Sequence, residues 1–122
     1  MASISLELVI PASTFKASAA PVQKTVPIGP CKIVGAYFQF PSGCQYLVKF
    51  QLAINAPGNP AELIVPSSAG GDALDYIAFD SASGLFLPID YIVTSPVILY
   101  ANGWNEDTAN SHWIKVLITL GR

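Results

Sequence analysis

Apolar residues recur at every second position along much of the chain. In "SISLELVIP", Ile4, Leu6, Leu8 and Ile10 share one face, and Ser3, Ser5, Glu7 and Val9 share the other. In "QYLVKFQLAIN", Tyr46, Val48, Phe50, Leu52 and Ile54 alternate with Gln45, Leu47, Lys49, Gln51, Ala53 and Asn55. "KIVGAYFQF" aligns Val34, Ala36, Phe38 and Phe40, and near the C-terminus Ile114, Val116, Ile118 and Leu120 alternate with Trp113, Lys115, Leu117 and Thr119. A period of two belongs to a half-buried strand, and the β-branched and aromatic residues that prevail here suit a pleated surface. Weaker strands are predicted at 24–28, 62–66, 74–79, 85–91 and 97–101.

Turn residues separate these runs: "PSG" at 41–43, "APGNP" at 56–60, "PSSAGGD" at 66–72, "DSASG" at 80–84 and "TSP" at 94–96. Each combines residues that fix or free φ. Eight or nine short strands, with loops near every tenth residue, predict an all-β, antiparallel β-sandwich or barrel. No repeat or linker divides residues 1–122, so one domain is expected. Segment 11–25, "PASTFKASAAPVQKT", is rich in small residues and reads as an extended crossing loop or arm.

Sequence neighbours suggest two hairpins. Strand 32–40 would pair with 45–54 around "PSG", and 97–101 with 113–120, leaving Asn102 to Ser111 as a projecting polar tip. The first pairing sets Phe40 opposite Cys44 and Cys31 opposite Ala53. The two sulfurs then stand roughly 30 Å apart at ~3.3 Å per residue, well beyond the ~7 Å Cα separation a disulfide tolerates. Free thiols and synthesis in a reducing cytoplasm are expected.

Composition sharpens the picture. Only 11% of the 122 residues are charged, against about 25% in ordinary soluble domains. The apolar share is 52%, and the mean hydropathy is +0.47. Either a membrane or neighbouring subunits would cover such a surface. No apolar run approaches the ~20 residues of a spanning helix, and Pro is too frequent for the regular amphipathic strands of a membrane barrel. The N-terminal "MASISLELVIPAS" lacks a basic region and contains Glu7, so it does not read as a signal peptide. Assembly is the expectation, through the second faces of the strands: Leu47, Ala53, Val9 and Leu117 interrupt otherwise polar faces, and Ile33, Gly35 and Tyr37 make a further face largely without charge. The net charge is −2, and the six Lys and Arg residues are spread singly, which argues against phosphate contacts with nucleic acid.

The strand series "SISLELVIP", "CKIVGAYFQFPSGCQYLVKFQLAIN", "SPVILYANGW" and "HWIKVLITLGR", in a short, low-charge, proline-punctuated chain, resembles the small jelly-roll proteins of virus and phage particles: capsid decoration or cement proteins, minor capsid proteins and fibre heads. The resemblance spans most of the chain as a pattern and contains no signature motif. It implies a jelly-roll-like sandwich and a non-enzymatic structural role in the virion. It also implies a homo-oligomer, a trimer most simply, meeting other capsid proteins.

Candidate chemistry is sparse. His112 is the single histidine, and no G-x-S-x-G turn accompanies it; it is expected to hydrogen-bond near a loop base. "PSGCQ" offers Ser42 and Cys44 with no basic partner evident. Adjacent Glu106 and Asp107 would point apart in an extended segment, which does not suit a paired acid and base. "DSASG" lacks the later acidic ligands of a calcium loop, and the two cysteines lack zinc spacing. No enzyme activity, metal or cofactor is predicted. Recognition remains, with Trp104, Asn105, Glu106 and Asp107 as the candidate contact loop. Trp104 either projects as an interface anchor or folds back over the core. The alternative function is a carbohydrate- or receptor-binding module, with Trp104 or Tyr100 stacking on a sugar and Asn102, Asn105 and Asp107 bonding its hydroxyls.

Overall fold

The computed structural model describes residues 2–41, 43–55, 62–66, 76–80 and 82–121. Eight strands lie among these residues: β1 (Ala2–Ile10), β2 (Val22–Ile28), β3 (Cys31–Phe40), β4 (Val48–Asn55), β5 (Glu62–Val65), β6 (Ala82–Val93), β7 (Val97–Asn105) and β8 (His112–Gly121). They form two antiparallel four-stranded sheets, ordered β1-β8-β3-β6 and β2-β7-β4-β5. The strand predicted at 74–79 falls partly outside the described residues; within 76–79, Ile77 makes an isolated bridge to Phe50 beside β4. Among the described residues no helix is long and apolar enough to cross a membrane.

The pairing is that of one long hairpin wrapped into two layers. β1 pairs with β8, β2 with β7, β3 with β6 and β4 with β5, and contacts of β8 with β3 and β7 with β4 complete each sheet. Every connection except β4–β5 therefore passes from one sheet to the other. This is the jelly-roll arrangement, and it corrects both expected hairpins. β3 and β4 lie in different sheets, as do β7 and β8. The β3–β4 passage bends through Gly43, Gln45 and Tyr46, all at positive φ. The cysteines are nonetheless free, because Cys31 opens β3 and Cys44 lies beyond its far end.

Inward faces from both sheets make one core. Phe38 of one sheet meets Phe50 of the other edge-on at 5.5 Å between ring centroids. Around them Leu8, Ile10, Leu52, Leu99, Ile114, Val116 and Ile118 are buried, as the period of two predicts. Each such side chain contributes roughly 1.5–3 kcal/mol by leaving water. β3 departs from the simple pattern. Its register slips between Ile33 and Gly35 against both neighbours. The extra residue turns Ile33 inward to full burial and leaves Val34 half-buried, the reverse of the sequence expectation.

Segment 11–21 is not a free arm. It runs from one sheet to the other and is tied to the end of β7. Thr14 pairs with Asn105, Ser13 N–H donates to Asp107 O, and Asn105 N–H donates to Thr14 O. Residues 22–25 of the expected loop belong to β2.

Candidate functional surfaces

Two places collect the residues of interest: a polar network at the β7–β8 crossover, and the outer face of the β1-β8-β3-β6 sheet.

The network begins at Asn105, the last residue of β7, whose side chain is fully buried. Its Nδ2 donates to Ile10 O at 3.2 Å and to Asn110 O at 2.9 Å, and its Oδ1 accepts from Asp107 N–H at 2.9 Å. Asp107 Oδ1 accepts from the N–H groups of Ala109 and Asn110, and its Oδ2 accepts from His112 Nε2–H at 2.8 Å. These contacts hold its carboxyl down at about 2, the Ala109 backbone bond contributing most and the His112 bond next. With Nε2 committed to Asp107, Nδ1 is the ring's remaining nitrogen, and Cys44 Sγ faces it at 4.0 Å. Cys44 therefore has a basic partner that the sequence did not reveal.

Thiol, imidazole and carboxylate in that order resemble a nucleophile with its base and orienting acid. Cys44, however, is fully buried. Burial raises its pKa, and the negative charge of Asp80 raises it further. Since the thiolate is the nucleophile, this environment keeps Cys44 a neutral thiol, and the chain of contacts fastens the crossover to the core. Among the described residues no group of three or more His, Cys, Asp or Glu is placed to hold a metal ion.

The other expected contact residues are engaged in the same end of the fold. β7 continues through Asn105, so the connection shrinks to 106–111 and no hairpin tip projects at 102–111. Trp104 lies within β7 at 7% exposure. Its Nε1–H donates to Ala19 O at 3.3 Å, and Lys16 Nζ sits 5.0 Å from its ring centroid. Neither sequence reading describes this position: Trp104 does not project and does not cap the core, but lies on the outer face of its sheet opposite Lys49, under segment 11–21. Glu106 accepts from Lys16 N–H at 2.9 Å and lies 3.7 Å from Lys49 Nζ. Asn102 joins Gln23 and Gln51 in an amide ladder across the β2-β7-β4-β5 sheet, at 2.7 and 2.9 Å.

The opposite outer face is built differently. Strand register sets Ser5, Leu117, Tyr37 and Phe86 in one row across all four strands of the β1-β8-β3-β6 sheet. Leu117 is 39% exposed, Tyr37 43% and Phe86 38%. The Tyr37 and Phe86 rings stack at 4.8 Å, tilted by 51°. Val9 and Ile92 add exposed apolar surface towards opposite ends of the strands. The alternation in β1, β3 and β8 had already marked Val9, Tyr37 and Leu117 as outward apolar positions. Phe86 and Ile92 escaped, because apolar residues occupy consecutive positions of β6, Leu85-Phe86-Leu87 and Tyr91-Ile92-Val93, and hide its alternation. Ile33 and Ala53, expected among the outward apolar residues, are both buried.

The fold and this face define a jelly-roll β-sandwich with one polar-laddered sheet and one apolar-rowed sheet. Comparison with protein-family models, curated proteins and solved structures finds no match to this chain.

Proposed function

We propose that this chain is a structural subunit of a virus particle, reinforcing a capsid or forming part of its surface, and that it acts by protein–protein assembly without turnover. The observation that carries the reading is the exposed row Leu117–Tyr37–Phe86 across three of the four strands of one sheet of a jelly roll. Jelly rolls serve capsids, lectins and other proteins alike, so fold alone does not choose among them. The face favours assembly, because a contiguous apolar patch on a sheet is surface that a partner covers. The low charge fraction of 11% points the same way. A sugar site on 102–111 draws no support, since Asn102, Trp104, Asn105 and Asp107 are engaged within the fold.

Homo-oligomers and contacts with other capsid proteins follow from this reading, as do synthesis in the host cytoplasm and incorporation into the virion. Electron microscopy and mass spectrometry of purified virus particles from the source of the gene test it. The chain at a regular, repeated position on the particle is the expected result. Particles that never contain it, together with a turnover assay that responds to His112→Ala, would overturn it.

A further inference from the structure

We propose that the outer face of the β1-β8-β3-β6 sheet is a self-association surface, occupied by the same face of a second copy across a two-fold axis. The proposal rests on the assembly reading above and adds the partner and the geometry.

Charge balance is the first argument. Glu7 stands opposite Lys115 in the β1–β8 register, and Lys32 Nζ pairs with Asp90 Oδ1 at 2.7 Å. Among the described residues each charge on the face thus has an opposite neighbour on the same face, and an identical surface meets it without net repulsion. A foreign partner selected by charge would require an unbalanced face.

Size is the second. Four strands about 4.8 Å apart and some 30 Å long give a flat footprint of roughly 600 Å², of the order of the ~800 Å² that each partner buries in a standard interface. The sheet also meets the geometric demand of sheet-on-sheet packing, in which strands of the two layers run within about 30° of each other.

Self-complementarity is the third. A two-fold axis along the strands, between β8 and β3, sets Leu117 of each copy against Tyr37 of the other. The same axis sets Lys115 against Gln39 and Ser5 against Phe86, because those residues share rows in the register. No like charges oppose one another along these rows. One patch meeting itself gives a closed pair, whereas a trimer needs two different patches. The other sheet does not compete for this role. Its outer face carries the Gln23–Asn102–Gln51 ladder, and the 11–21 segment lies over Trp104.

Sedimentation equilibrium of the purified full chain at about 1–50 micromolar, below the range of millimolar encounters, tests the proposal, with Leu117→Lys, Tyr37→Lys and, as a control on the other face, Thr25→Lys. The wild type and Thr25→Lys are expected at a two-copy mass. Leu117→Lys and Tyr37→Lys are each expected to weaken the pair at least about 30-fold, the size of a hot-spot loss. Far-ultraviolet circular dichroism checks that each variant keeps its sheet; since both side chains lie outside the core, one unfolded variant leaves the other to decide. A wild type of one or three copies overturns the proposal, and so do folded Leu117→Lys and Tyr37→Lys chains that retain the wild-type mass. A single-copy chain found on a virus particle would overturn the pair while leaving the assembly reading standing. A two-copy chain disrupted by these variants but absent from particles would uphold the pair and overturn the virion role.

Discussion

Asp107 Oδ2 lies 2.8 Å from His112 Nε2 and so links the start of the β7–β8 crossover to the first residue of β8. The contact spans only five residues, yet its consequences reach the core, because the other nitrogen of the same ring faces Cys44.

Stability should depend on pH through this carboxyl. Its folded pKa of about 2 lies below the ~3.9 of an unfolded aspartate. Its contribution is therefore complete above about pH 4 and is lost as pH falls through about 2, because the unfolded chain binds the proton first. Urea unfolding from pH 5 down to pH 2 should show stability falling with acidity, and Asp107→Asn should flatten that slope. An unchanged slope in the variant would mean that other carboxylates carry the dependence.

Asn105→Ala should be among the most damaging polar substitutions. It leaves Ile10 O, Asn110 O and the Asp107 N–H without their present partner. Unsatisfied buried groups cost about 1–3 kcal/mol each, so with water reaching Asn110 the other two give a total loss of roughly 2–6 kcal/mol. Equilibrium denaturation measures it.

The two thiols should separate cleanly in a labelling experiment. Burial pushes both pKa values up, but Cys31 is partly exposed and Cys44 is fully buried. Under native conditions a disulfide-exchange reagent at pH 8 should label Cys31 first, and Cys44 only as the chain opens. Cys31→Ser should abolish the early phase. Rapid labelling of both thiols in the native state would contradict the sealed geometry described for Cys44.

Two glycines should respond differently to an added methyl group. At Gly103 a Cβ would come within 2.5 Å of Ile10 Cδ1, the movable end of a side chain. Gly103→Ala should therefore cost about 1–3 kcal/mol by overpacking. At Gly35 it would meet the Phe86 ring at 2.3 Å and Leu87 O at 2.8 Å. A backbone oxygen cannot swing aside, so Gly35→Ala should be the worse of the two in urea unfolding. It should also displace Phe86 from the outer face.

The alternation of residue types alone placed β1, β4 and β8 and chose most of their buried faces, because a strand with one side in a core must repeat every two residues. Composition alone likewise pointed to a surface sparing in charge. Pairing was decided elsewhere. The hydrogen-bond ladder joins backbones and reads no side chains, so local alternation is the same whether a strand's neighbour comes next in the chain or eighty residues later. Only closure of a common core by both sheets sent β3 to β6 and β8, and β7 to β2 and β4. The same closure brought Cys44 to His112 across 68 positions, laid Trp104 beneath the 11–21 segment, and carried Phe86 into line with Tyr37 and Leu117. Such contacts depend on which ends and rows meet when the sheets pack, and no single segment of the sequence contains that information.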